Sequence, residues 1–381
     1  MNFLSHLKEE PADALFGIQR AYEEDPRSHK VNLSIGTYKT EELHPLILKA
    51  VKEAEHYLVK EEKIKDYLPI LGLESYIHTC KELIFGEALP EICGLQAVGG
   101  TGALHIGSKF LLHAGFKRLY ISKPTWGNHE RIFKNAGFEV VSYPYFDWVK
   151  PFETMEKGSV VLLQPCCHNP TGSDPSDEQW AEIAAIIKER ELFPFFDSAY
   201  QGFGEGVEED ARVMRLFLKL EIPFMVAASQ SKNFGLYRER TGGLFLRCLM
   251  KEDAQRFATI LRAIIRGVYS NPPAHGAQVV AHILSTPSLK KVWLEELSSM
   301  RTRITNMRKA LVEKLNSFDF LLKQKGMFSY TYLSPSEVEC LRDEYGIYML
   351  RDGRINVAGL NSKNVGYVAE SIIKVHAQKE L

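Results

Sequence analysis

No apolar run in the 381 residues reaches the roughly 18 that a membrane-spanning helix needs, so no membrane partner is expected. The formal net charge is -1, which leaves no basic field for nucleic acid. Six cysteines are scattered at positions 80, 93, 166, 167, 248 and 340, and none forms a C-x-x-C pair. The neighbours Cys166 and Cys167 do not readily bridge each other. Reduced thiols are therefore expected, with no disulfide framework and no metal site. Neither G-x-G-x-x-G nor a Walker sequence occurs, which counts against dinucleotide and nucleotide chemistry. The first ten residues lack the apolar core of a secretory leader and are too acidic for an organellar transit peptide; a cytoplasmic location is the expectation. There is no internal repeat and no low-complexity linker.

What is present is an ordinary enzyme-like balance, 45% hydrophobic and 25% charged. The length suits two packed domains, or one large α/β domain with an appendage. Residues 12–22 are amphipathic, 31–38 alternate like a strand, and 45–60 and 73–85 carry a helical period. From about residue 95 strands and helices alternate. Segments 95–98, 118–122, 138–143, 159–164, 193–196, 223–228 and 243–247 read as strands; 103–113, 180–190 and 212–220 read as helices. Such alternation argues a largely parallel sheet covered on both faces. Helices follow at 252–267, 275–284 and 289–317. A tail reading strand, helix, strand, strand and helix runs from 326 to the end. With the N-terminal segment it makes a smaller second domain.

In open sheets of this kind ligands sit outside the carboxyl ends of the strands, and the unusual residues cluster there. The apolar run 222–228 leads through Ser229 and Ser231 to a single lysine, Lys232, and then to Arg238 and Arg240 in a glycine-broken turn. Most loop lysines are solvated, but a desolvated one becomes a nucleophile toward carbonyls. Gly99-Gly100-Thr101-Gly102 at a strand-to-helix junction is either a tight turn or a phosphate cradle. Asp197 ends an apolar strand, as a cap or as the partner of a buried cationic nitrogen, with Tyr200 close behind. His168 is a turn residue or a ligand contact. Trp126, near His129, is core or stacks on a planar ligand. Arg266 and Arg354 are surface arginines or carboxylate anchors. An amine, a phosphate cradle, an acid and arginines together are the set that pyridoxal phosphate needs.

These stretches resemble the class I aminotransferases, in particular the aspartate and aromatic amino-acid subgroup. The resemblance runs over nearly the whole chain, from Pro11-Ala12-Asp13 and Val31 to Lys39, through the glycine cradle, Cys166 to Gly172, Asp197 to Gly202 and Ser231 to Arg240, to Tyr269 to Gly276, Gly326 to Ser329 and Gly353 to Gly359. It implies an α/β fold of type I: a large domain with a mostly parallel seven-stranded sheet flanked by helices, plus a smaller α+β domain. The implied division is an N-terminal arm and part of the small domain at 1–41, the large cofactor-binding domain at 42–297 and the small C-terminal domain at 298–381.

The resemblance also assigns roles. Lys232 would carry pyridoxal 5'-phosphate as a Schiff base and shuttle the proton. Asp197 would keep the ring nitrogen protonated, backed by His129. Tyr200 and Asn169 would bond the phenolic oxygen and Trp126 would stack on the ring. Gly100, Thr101, Ser229 and Arg240 would hold the phosphate, with Tyr67 from a neighbouring subunit. Arg354 would bind the substrate α-carboxylate, helped by Asn169 and near Gly36. Arg266 of the partner subunit would bind a side-chain carboxylate. The implied enzyme is a homodimer with shared sites that moves the amino group of an amino acid, aspartate foremost, to the 2-oxo acid 2-oxoglutarate by a ping-pong route. Within the class the rival is an aromatic amino-acid aminotransferase. Outside it stand a non-catalytic cofactor-binding regulator, opposed by the intact Lys232, Asp197, Arg240 and Arg354, and a nicotinamide dehydrogenase, opposed by the missing fingerprint. The chain departs from the family at Ser34, Gln164 and Gly243, positions expected to affect loop packing and substrate preference rather than the core chemistry.

Overall fold

The computed structural model describes residues 4–9, 14–315 and 317–377. Pro11, Ala12 and Asp13, which open the resemblance, and Asn316, near the expected end of the long helix, lie outside the described residues.

Helix α1 (Ala14–Glu24) precedes strand β1 (Val31–Asn32). The strand expected through Tyr38 stops at Asn32, because side chains from elsewhere take over its backbone groups. Asn356 Nδ2 donates to the carbonyls of Ile35 at 2.5 Å and Thr37 at 2.8 Å, and the Tyr38 amide donates to the Tyr237 hydroxyl at 2.9 Å. Helix α2 (Lys49–Glu61) starts later than its period suggests, and α3 (Glu74–Phe85) follows it.

The large sheet contains β2 (Ile92–Val98), β3 (Arg118–Lys123), β4 (Glu139–Pro144), β5 (Val160–Leu163), β6 (Phe193–Ser198), β7 (Phe224–Ser229) and β8 (Thr241–Arg247). Their spatial order is β2-β8-β7-β6-β5-β3-β4. All pairs are parallel except those of β8, which runs antiparallel to β2 and β7. The connecting helices are α4 (Gly99–His113), α5 (His129–Ala136), α6 (Lys150–Thr154), α7 (Asp177–Glu189) and α8 (Arg212–Lys219).

Both sheet faces are covered, and the strand period of two splits the core accordingly. Phe195, Met225 and Leu244 pack into one cluster, while their neighbours Phe196, Val226 and Phe245 pack into the other. The chain continues through α9 (Lys251–Val268), α10 (His275–Ser285) and α11 (Pro287–Val312). It then forms β9 (Phe328–Tyr330), α12 (Pro335–Tyr345), β10 (Ile347–Tyr348), β11 (Arg354–Asn356) and α13 (Val365–Ala377). β10 pairs in parallel with β1, tying the two ends of the chain together, and β11 pairs with β9. The boundary expected at 297/298 falls within the single helix α11.

Candidate active site

Parallel strands and the uninterrupted β2–α4 junction bring four chain segments to one edge of the sheet. β2 ends at Val98 and α4 begins at Gly99 with no side-chain cap. Its first amides have no intrahelical acceptor and form a positive end suited to an anion. Thr101, Ser229, Ser231 and Arg240 surround it in one cavity. The Ser231 amide donates to the Ser229 hydroxyl at 3.3 Å, and that hydroxyl donates to Ser231 Oγ at 3.1 Å. Arg240 holds a left-handed backbone, φ 52°, a conformation that costs a non-glycine residue about 1–3 kcal/mol. Its Nη1 donates to the Tyr237 carbonyl at 3.0 Å. A Cβ on Gly99 would stand 2.5 Å from Arg240 Nη2, so only glycine lets the guanidinium lie over the helix end.

Asp197, at the end of β6, is buried. His129, buried at the first turn of α5, meets it Nε2 to Oδ2 at 2.8 Å, and Thr125 Oγ1 lies 2.8 Å from the other ring nitrogen. An ionised carboxylate only accepts, so Nε2 carries the hydrogen; in the neutral ring Nδ1 then accepts from Thr125. The Trp126 ring stands edge-on to His129 at 5.2 Å.

Lys232 follows β7 and lies with its Nζ 5.1 Å from the centre of the Tyr200 ring. Burial pulls its pKa down to about 8; Asp197 opposes the fall, while Arg240 and Arg354 add to it. Burial raises the Tyr200 phenol well above its ordinary value.

Arg354 opens β11 and is buried. Its Nη1 donates to Asn169 Oδ1 at 3.2 Å and its Nη2 to the Ser34 carbonyl at 2.5 Å. The guanidinium lies 4.2 Å above the Phe328 ring, and burial lowers its pKa. Its Nε is buried without an acceptor among the described residues, an orphan donor that a carboxylate ligand would satisfy.

The cavity has a volume of about 150 Å³ and includes Gly100, Thr101, Trp126, Asn169, Asp197, Tyr200, Ser229, Lys232 and Arg240 in its wall. Gly36 stands aside: a Cβ there would lie 2.8 Å from Phe328 Cζ, against the ring that supports Arg354. Tyr67 is 87% exposed, and Arg266 is exposed with its Nη1 donating to Ser270; neither belongs to the cavity wall of its own chain. His168 is the turn residue of its two readings, stacked on Tyr145 at 3.6 Å and bonded to Ser122 and Thr171. Arg238 is a surface residue, 3.8 Å from Glu239.

Sequence reasoning missed Ser231 in the wall. Gln164, expected to affect loop packing and substrate preference, lines the cavity as well. Its amide also clamps Asn169, accepting from that residue's N–H at 2.9 Å and donating to its carbonyl at 3.1 Å. A glutamine before two cysteines carries no local signal of this.

Residues 28–372 match the family described as aminotransferase class I and II. The chain is 44% identical to the aromatic-amino-acid aminotransferase of Escherichia coli K12, over 95% of this chain and 97% of that one. It is 41% identical to the aspartate aminotransferase of the same organism, over 96% and 98%. The fold superposes with a TM-score of 0.95 on an aromatic-amino-acid aminotransferase from Burkholderia pseudomallei covalently bound to pyridoxal phosphate, 41% identical and covering 98% of this chain and 100% of that one.

Proposed function

The chain belongs to the class I and II aminotransferases, enzymes that use pyridoxal phosphate, and from that premise we propose that it transfers the amino group of aspartate to 2-oxoglutarate in two half-reactions. The observation that carries amino-acid transamination, whichever the donor, is Arg354: a buried guanidinium with an unpaired Nε, in contact with Asn169 of the cavity that also contains Lys232.

The residues present fit the cofactor. An uncapped helix end, three hydroxyls and Arg240 suit a phosphate dianion. A buried carboxylate suits a ring N–H, and an amine with a pKa of about 8 suits an aldehyde. When bound, pyridoxal phosphate supplies a conjugated ring that accepts the electron pair left on the substrate α-carbon.

Gly100, Thr101, Ser229 and Arg240 would hold the phosphate. Trp126 would lie against the ring. Asp197, oriented by the N–H of His129, would hold a proton at the ring nitrogen. Tyr200 and Asn169 would bond the phenolic oxygen. Lys232 would hold the cofactor through its amine and would move the proton from and to the substrate α-carbon. Arg354 and Asn169 fix the α-carboxylate, which orients the bond to be broken.

A second copy of the chain completes the site with the partner's Tyr67 and the partner's Arg266. The exposed apolar side chains of Tyr57, Val59, Ile64 and Val268, around α2 and the end of α9, support that docking. The domain division at 41/42 and 297/298 is proposed on the same footing.

The second reading, an aromatic amino acid as the main donor, is favoured by the 44% identity to the aromatic enzyme against 41% to the aspartate one. A substrate panel decides. With 2-oxoglutarate as acceptor, kcat/KM for aspartate is expected to exceed that for tyrosine or phenylalanine by about tenfold or more. The reverse order establishes the second reading. Borohydride treatment followed by digestion should leave the cofactor on the peptide containing Lys232; a label on another lysine defeats the assignment.

A further inference from the structure

A second cavity lies at the opposite end of the strands, about 350 Å³ in volume. Phe193 lines it at the start of β6, whereas Asp197 lines the catalytic cavity near the end of the same strand. At strand rise the two positions are roughly 13 Å apart. Two edge-to-face or tilted aromatic pairs form the wall, Phe110 with Phe257 at 5.3 Å and Phe116 with Phe193 at 5.4 Å.

Into this apolar wall the chain sets one buried charge, Arg247, the last residue of β8. It is 7% exposed, and its Nε and Nη1 are buried with no hydrogen-bond acceptor among the described residues. Among the described residues it forms no ion pair. Asp253 also borders the cavity, but its carboxylate is engaged by Arg256 at 2.7 Å. A buried guanidinium with unsatisfied N–H groups is costly unless an anion reaches it. A cavity of this size, largely apolar with one convergent charge, has the make-up of a small-molecule site.

We infer that this cavity is a second ligand site, separate from the catalytic one, for a small carboxylic acid with an aromatic body. The carboxylate accepts from Arg247 at one of its two unpaired donors, Nε or Nη1, which lie on opposite edges of the guanidinium, and the ring lies among Phe110, Phe116, Phe193 and Phe257.

The test uses holoenzyme whose catalytic cavity is saturated with succinate, and 4-phenylbutyrate as the probe in titration calorimetry. One probe molecule binds per chain, and the neutral analogue 4-phenylbutanamide binds at least about tenfold more weakly. Arg247→Met weakens the probe by a similar factor. Ala114→Trp, an exposed rim position that leaves Arg247 in place, blocks it. Both variants keep wild-type turnover, so the loss is local to the second cavity. No binding once succinate is present, equal binding of acid and amide, or binding indifferent to both substitutions overturns the inference. The heat of binding does not depend on which amino acid the enzyme uses.

Discussion

Lys232 shows what one residue owes to its surroundings. A free lysine holds its proton to about pH 10.4, whereas burial brings Lys232 to about 8. The unfolded chain therefore binds more protons than the folded one between these values. Stability of the cofactor-free protein is expected to rise with pH across that window, and Lys232→Met to remove the rise. Cofactor uptake should follow the neutral amine, its rate climbing with a midpoint near pH 8, as read by stopped-flow absorbance. A midpoint near that of free lysine would show that the amine is not desolvated. Lys232, Asp197 and Arg354 stood out in the sequence because each is a charged group beside an apolar run, whereas Arg240 was a loop charge to which only the family resemblance gave a role. Gln164 was not, because its importance lies in a clamp on Asn169 that only the folded turn creates.

Elements were read well where their own residues stabilise them and poorly where distant ones do. Helix α2 has Leu48 at its N-cap and no local cap. Glu296 of α11 supplies one instead, accepting from the amides of Lys49 at 2.7 Å and Ala50 at 3.0 Å. Glu296→Ala is expected to cost about 1–2 kcal/mol, seen as a lower urea midpoint at unchanged slope, with catalysis retained in the folded enzyme. An unchanged midpoint would mean that water caps the helix equally well. The departure at Gly243 has a similar origin. A Cβ there would lie 2.8 Å from the Phe245 ring and 3.1 Å from the Leu95 carbonyl, so the alanine common at this position does not fit beside this phenylalanine.

For the whole molecule, the sheet order places β2, β8, β7 and β6 side by side, and so gathers Gly100, Arg240, Ser229, Lys232 and Asp197 from distant parts of the chain. The proposed sharing of sites between two copies makes a direct prediction. Lys232→Ala and Arg266→Asp are each expected to lose most aspartate turnover. Exchanging subunits between them should restore one intact site in each mixed dimer, about a quarter of wild-type activity for random pairing. Absence of recovery in a confirmed mixed dimer would place Arg266 in its own chain's site. The sequence by itself determined the α/β alternation, the two-sided burial of the strands and the chemistry of the strand-end residues, because periodicity and residue type are local properties. Tertiary structure alone decided the antiparallel course of β8, the early stop of β1, the cap on α2 and the clamp on Asn169. These depend on hydrogen bonds between residues far apart in sequence, whose partners no local pattern announces. The same limit applies to Lys232: the sequence showed a lysine after a buried strand, and the packing around it lowers the pKa of its amine to about 8.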